Sequence, residues 1–329
     1  MSRSRTKRVV ALSGGVGGAK LALGLYRVMA PGSLTVIANT ADDFDHLGLA
    51  ISPDIDTLIY TLARIANPQT GWGREDETWN FIEALRAIGG EDWFLIGDKD
   101  LAVHVERTRR LRSGERLSSV TMDLVHAFNL ECQVLPMADV TVRTRLKTTS
   151  GWLAFQEYFV RLNCAPTVRQ VVFAGIENAV ISSEVRAALS DPDLAAVIIC
   201  PSNPIISIAP ILAVGGLRDL LRETNTPVIA VSPILLGRAV KGPTAKMLKE
   251  LGIEVSAAAV AERYSDIIDA IVVEPDDADM VASRVTGIDV RPAKTLMETL
   301  EDREQLAEIV LGVAAEIRQP RNCSNCAEM

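Results

Sequence analysis

The chain has 329 residues, 48% hydrophobic and 23% charged, which suits one large α/β domain or two smaller ones and does not suit a disordered protein. Its formal net charge of −8 excludes broad electrostatic binding to nucleic acid, although one basic pocket could still hold a small phosphorylated ligand. Five cysteines, an odd number, and no export signal argue against a disulfide framework.

Residues 1–8 are basic, but the apolar run behind them stops at Leu12. That is too short for a signal-peptide core or a membrane span, so a cytoplasmic protein without membrane contact is expected. Short β-branched runs at 8–12, 34–39, 168–174, 195–200, 227–231 and 267–273 alternate with helical patterns at 19–30, 53–66, 75–89, 98–113, 183–190, 242–251 and 298–316. The alternation predicts an α/β fold with a doubly wound, mostly parallel sheet. Between 130 and 165 the pattern loosens, and alternation at 140–146 and 152–160 predicts antiparallel strands in an inserted α+β subdomain or flap. No repeat or linker divides the chain, so residues 1–317 are expected as one domain and 318–329 as a disordered tail. Cys323 and Cys326 form a lone CxxC there; without a second pair, zinc is not expected.

Four clusters carry candidate chemistry. Ser13-Gly14-Gly15-Val16-Gly17-Gly18-Ala19-Lys20 follows a predicted strand and opens a predicted helix. Glycines let backbone N–H groups approach an anion, and a helix amino terminus favours negative charge, so Gly14, Gly15, Gly17, Gly18 and Lys20 are candidate phosphate contacts. The run is neither a Walker A loop, since Leu21 follows Lys20, nor a strict GxGxxG, and a tight strand-to-helix turn is the simpler alternative.

Asn39-Thr40-Ala41-Asp42-Asp43-Phe44-Asp45-His46 and Ser52-Pro53-Asp54-Ile55-Asp56-Thr57 place five aspartates within fifteen residues. Crowded carboxylates repel one another unless a hard cation is shared among them, whereas a dinucleotide site needs only one acid for a ribose. For Ser52 or Asp54 the simpler reading is a helix cap. Gly97-Asp98-Lys99-Asp100-Leu101-Ala102-Val103-His104 starts another helix, where Asp98 and His104 either reach a substrate or serve as a solvated helix start and a structural histidine. Cys200-Pro201-Ser202-Asn203-Pro204 closes a strand, and Asn203 has the donors and acceptors to read a base or ribose, if the loop is more than a turn. Arg238 and Lys241 are further candidate partners for a diphosphate, and Trp72, Trp79 and Trp93 either line a flat aromatic pocket or belong to the core.

SGGVGGAK at 13–20, NTADD at 39–43, SPDIDT at 52–57, GWG at 71–73, ETWN at 77–80, GDKDLAVH at 97–104, FQEYFVR at 155–161 and CPSNPIISIAPIL at 200–212, in this order, resemble the 2-phospho-L-lactate transferase family, CofD in archaea and FbiA in actinobacteria. The resemblance runs from about residue 9 to 273. It implies a Rossmann-like core, a bound Mg2+ ion, a guanylylated phospho-acid donor and a deazaflavin acceptor, with GMP released on the way to coenzyme F-420. It implies metal- and acceptor-binding carboxylates at Asp42, Asp54 and Asp56, and donor contacts in the glycine loop, at Asn39 and Thr40, and at Ser202, Asn203 and Pro204. Asp42 or Asp56 would accept the proton of the attacking ribityl hydroxyl. The donor acid stays open among 2-phospholactate, phosphoenolpyruvate and 3-phosphoglycerate. A homodimer is expected for an enzyme of this size. Leu95 stands where some archaeal members have a lysine, and the CxxC tail has no counterpart. The alternatives are a nucleotide-sugar-binding regulatory protein of the YvcK type, disfavoured by ETWN, FQEYFVR and GDKDLAVH, and an NAD-dependent oxidoreductase, which needs one ribose-binding acid and no metal.

Overall fold

Seven parallel strands form the central sheet of the computed structural model, which describes residues 7–240 and 242–318. In chain order they are β1 Arg8–Ser13, β2 Leu34–Ala38, β3 Gln133–Pro136, β4 Leu194–Ile199, β5 Val228–Val231, β6 Ala270–Val273 and β7 Asp289–Pro292. In space they run β7-β6-β5-β4-β1-β2-β3, with every pairing parallel. The chain therefore starts in the middle, walks to one edge and returns beside β1 to build the other half. The reversal lies between β1 and β4, where open α/β sheets leave a crevice at the carboxyl ends of their strands.

β1, β4, β5 and β6 are almost wholly buried on both faces, which is why their sequences are continuous apolar runs. Helix α1, Gly15–Val28, packs along the last helix, Leu300–Arg318. A Cβ on Gly24 would strike the Arg303 carbonyl oxygen, so the two helices approach to backbone distance. Helices α2 Pro53–Leu62, α3 Asn80–Ala87 and α4 Asp98–Arg112 follow the second strand. No helix among the described residues is long and apolar enough to cross a membrane.

The insert is a three-stranded antiparallel sheet with Arg143–Thr148 at its centre, flanked by Gly151–Ala154 and Val168–Ala174, plus a π-helical turn at Glu157–Arg161. The run at 168–174, expected in the central sheet, belongs here instead. Only Val168 of that strand is buried, so it has one covered face where a central strand has two. Two further differences are local. The edge strands β3 and β7 are four residues each, end in proline and carry no clear apolar alternation. The first helix begins at Gly15, not at 19, so the glycine run is its first turn.

Candidate active site

Three loops meet at the carboxyl edge of the sheet. In the glycine loop, the Gly14 N–H donates to Ser202 Oγ at 3.1 Å and the Gly15 N–H to Asp54 Oδ1 at 2.8 Å. Gly15 has φ +63°, in the left-handed region that glycine tolerates best. A Cβ on Gly17 would lie 2.6 Å from the Pro201 carbonyl oxygen, so this glycine lets β1 and β4 loops touch. Gly17→Ala should therefore lower stability by about 1 to 3 kcal/mol, read as a drop in Tm; an unchanged Tm would mean that the loops separate freely. Lys20, a candidate phosphate ligand, donates through Nζ to the Met297 carbonyl at 2.6 Å, which ties it to the segment before the last helix.

After β2, Asn39 Nδ2 donates to Asp54 Oδ2 at 2.8 Å, while Asn39 Oδ1 accepts the Ala41 N–H at 3.0 Å. Thr40 is buried, and its hydroxyl has no partner among the described residues. Asp42 Oδ1 accepts from Thr144 Oγ1 at 3.0 Å, and Gln156 Nε2 donates to the Asp42 carbonyl at 3.3 Å. The insert thus holds both the side chain and the peptide of Asp42. Burial, and then the neighbouring Asp54 charge, push the Asp42 carboxyl well above its ordinary value. Burial pushes Asp54 up to about 6, against the hydrogen bonds from Asn39 and Gly15. Burial also pushes Asp43 up to about 8, opposed by the Arg143 charge and by the Ser52 hydroxyl, which donates to Asp43 Oδ2 at 2.7 Å.

These raised values fix a sign. Between about pH 4, the ordinary carboxylate value, and about pH 8, these three carboxyls bind more protons in the folded chain than in the unfolded one, so they make stability fall as pH rises, against the smaller opposite effect of His46, whose value burial lowers. Melting curves should show Tm declining across that window, with a shallower slope in Asp43→Asn; a slope the substitution leaves unaltered would clear Asp43 of the effect.

Asp56 does not join Asp42 and Asp54. Residues two apart on a helix point about 200° away from each other, so Asp54 faces the glycine loop and Asp56 faces α4. There Arg107, fully buried, holds both Asp56 oxygens, with Nη1 at 3.0 Å from Oδ2 and Nη2 on Oδ1. Arg107 Nη1 also lies 3.3 Å from His104 Nδ1 and 3.4 Å from the Ala50 carbonyl. A guanidinium only donates, so His104 accepts at Nδ1 and carries its proton on Nε2, which faces Asp100 Oδ2 at 3.2 Å. Tyr60 donates to Asp100 Oδ1 at 2.6 Å. Burial alone would raise Asp100, but the His104 and Tyr60 side chains beside it hold it below its ordinary value.

Asp56, Asp100 and His104 are the one trio of potential metal ligands within 4.8 Å of one another among the described residues. Arg107 engages Asp56 and Tyr60 engages Asp100, a clasp that ties α2 to α4, while His104 Nε2 is buried 3.2 Å from Asp100 Oδ2 without a well-aligned hydrogen bond among the described residues. The structure thus does not bring the three expected carboxylates Asp42, Asp54 and Asp56 together: the first two are buried beside each other, and Asp56 is turned away onto Arg107. Asp98 is also engaged within the protein. It accepts from Thr78 Oγ1 at 2.7 Å, Asn80 Nδ2 at 2.8 Å and the Phe81 N–H at 3.0 Å, which start α3, and these bonds hold it well below the usual carboxylate range. Glu77 returns the favour by accepting from the Lys99 and Asp100 N–H groups at the start of α4. ETWN and GDKD are therefore reciprocal helix caps.

In the β4 loop, Asn203 Oδ1 accepts the Ile205 N–H at 2.9 Å and so caps the π-helical turn Pro204–Ile208. The Asn203 Nδ2 group has no partner among the described residues. Arg238 is exposed on a short hairpin, while Lys241, Cys323 and Cys326 lie outside the described residues.

A cavity of about 450 Å³ opens between the β2 loop, the hairpin Phe44–His46 with Leu49–Ile51, and the insert. Asp42 and Asp43 lie at its wall beside an aromatic cluster in which His46 and Trp93 meet edge to face at 5.0 Å and Phe44 meets Phe94 at 4.8 Å. Phe155, stacked on Phe159 at 5.4 Å, lines the insert side with Arg143, Arg145 and Arg161. Of the three tryptophans singled out, Trp93 lines the cavity, Trp72 is exposed and Trp79 is half-buried just before α3. Arg107, Thr144 and Gln156 were not anticipated; only the i, i+3 spacing of His104 and Arg107 hinted at a shared face.

The sheet order and the glycine turn at its reversal define a Rossmann-like α/β protein. A solved structure of the UPF0052 family from Bacillus halodurans has the same fold, with TM-score 0.60 and 13% identity over 94% of this chain and 100% of that one. The chain belongs to the 2-phospho-L-lactate transferase CofD family, whose profile matches residues 9–307. It is 38% identical over 319 residues to the phosphoenolpyruvate transferase of Streptomyces coelicolor, covering 95% of this chain and 99% of that protein. It is equally 38% identical over 304 residues to the 2-phospho-L-lactate transferase of Methanosarcina mazei, covering 92% and 99%.

Proposed function

We propose that this chain moves a phospho-acid from a guanosine-diphosphate-linked donor to the terminal ribityl hydroxyl of 7,8-didemethyl-8-hydroxy-5-deazariboflavin, releasing GMP, in coenzyme F-420 biosynthesis. Family membership and the activities named for its relatives support the reaction class. The observation that carries it to this site is the aromatic-walled cavity of about 450 Å³ that ends on Asp42. Its rings suit a flat tricycle. The glycine loop would hold the diphosphate at the start of its helix, with the Gly14 and Gly15 N–H groups exchanging Ser202 and Asp54 for phosphate oxygens, and the buried, unpartnered Asn203 amide would serve the guanosine. Asp42 would take the proton of the ribityl hydroxyl as the oxygen attacks phosphorus and the bond to the GMP phosphate breaks.

The donor set fits a magnesium ion. Asp42 and Asp54 are buried together, each carboxyl raised by burial, and Asp54 adds its charge to the pressure on Asp42. Magnesium is commonly held by one or two carboxylates completed by substrate phosphates. When bound, the ion supplies positive charge that neutralises the diphosphate and keeps these carboxylates ionised. Protons and the cation compete for the same oxygens, so magnesium should raise Tm more at pH 8 than at pH 5. Equal shifts at both would place the ion elsewhere.

The direct test incubates purified protein with the deazaflavin, magnesium and each of three guanylylated acids, those of 2-phospholactate, phosphoenolpyruvate and 3-phosphoglycerate. A fluorescent product of greater negative charge, with stoichiometric GMP, is expected from at least one. No product from any of them removes the proposal.

A further inference from the structure

Arg143 and Arg145 alternate with buried Thr144 and Leu146 on the central strand of the insert, so both arginines and Lys147 share its open face. Like charges at i, i+2 and i+4 on one face repel, and cross-strand acids usually relieve them. None does so here. Arg143 stands opposite Ala174, and Arg145 opposite Ala154 and Val172. Arg161 joins them at the cavity from the π-helical turn.

Arg110, Arg116, Arg218, Arg222, Arg284 and Arg291 pair with carboxylates, whereas Arg64, Arg169, Arg186 and Arg238 stand alone and scattered elsewhere among the described residues. Arg145 and Arg161 pair with nothing among the described residues, although Asp45, Glu91 and Glu157 line the same cavity. Arg143 reaches the Val142 carbonyl at 3.2 Å and Asp45 at 3.9 Å, and its charge also acts on Asp43. Three cations from two elements therefore stand around one cavity with their hydrogen-bonding capacity largely unspent.

The cavity touches Asp42 but includes no residue of the glycine loop or of the β4 loop. A donor whose diphosphate lies on the glycine loop and whose reacting phosphorus reaches Asp42 must extend its acid past Asp42, toward the insert. We propose that Arg143, Arg145 and Arg161 form a subsite for the carboxylate of the phospho-acid, across the cavity from the aromatic wall. The inference rests on the transfer reaction proposed above and adds the group that selects the donor's acid end.

Both Arg145 and Arg161 are exposed, so Arg145→Met, Arg161→Met and the double variant should keep the wild-type Tm. The measurement is calorimetric binding of guanylylated phosphoenolpyruvate and of its carboxamide analogue, beside the KM for the deazaflavin. Wild type should prefer the carboxylate by roughly 10- to 100-fold, as expected for charge-assisted hydrogen bonds. The double variant should lose that preference with the deazaflavin KM unchanged. A wild type that does not distinguish the two donors, or binds neither, overturns the subsite. So does a double variant that keeps the preference, or one whose deficit falls on the deazaflavin KM. Turnover without discrimination sinks the subsite alone; discrimination in binding without any turnover sinks the transfer reaction and upholds the subsite.

Discussion

Arg107→Met is expected to cost the fold about 3 to 5 kcal/mol, because it strands the Asp56 carboxylate in the interior without a counter-charge. The guanidinium is fully buried and also lies against His104 and the Ala50 carbonyl, so a single truncation opens α2, α4 and the hairpin strand Leu49–Ile51 together. Removing both charges, in Arg107→Met with Asp56→Leu, should recover most of the loss, since apolar side chains replace a buried ion pair at little net cost. Chemical denaturation of the single and double variants measures both. A single variant within about 1 kcal/mol of wild type would mean that water enters to solvate Asp56, and that the clasp is not rigid.

Asp42→Asn should behave in the opposite way, losing turnover and keeping the fold. Asparagine retains an oxygen for the Thr144 hydroxyl and removes a carboxyl that burial already disfavours as an anion, so Tm should hold or rise. The expected loss in kcat is on the order of 10²- to 10⁴-fold, the contribution of a positioned general base. Initial rates of product formation decide it. Near-normal turnover would move the proton acceptor to another group, with Asp43, at the same cavity wall, next in line. Asp42 and Asp56 read as equal candidates in the sequence; in the structure Asp42 lies at the cavity wall and Asp56 is held by Arg107.

Five of the seven central strands were legible because each is a short, β-branched run apolar on both faces, as strands of a sheet covered on both sides are. The strand Val168–Ala174 was legible as a strand but not as a member of the insert, since β-branched composition does not say which sheet a strand joins. In the site, the acids announced themselves by crowding. Arg107 did not, because α4 reads DKDLAVHVERTRRLR, a helix so polar that any one arginine looks like a solvated side chain. The partners that bury it come from residues 50 and 56, more than fifty positions earlier, and no local pattern carries that distance. The caps made by Glu77 and Asp98 were hidden likewise, each serving the helix that the other's motif begins.

The insert leaves and rejoins the main body at one doorway: Arg143 and Ala174 are cross-strand neighbours, and the Thr141 carbonyl sits against Gly175. Its ends adjoin, but its buried Val142, Leu146, Leu153, Phe155, Tyr158 and Val168 share one core with β1, β3 and β4, so the insert is packed into the parallel platform. Any change inside it is therefore felt in two places at once, at Asp42 through Thr144 and Gln156 and in the apolar layer beneath the sheet.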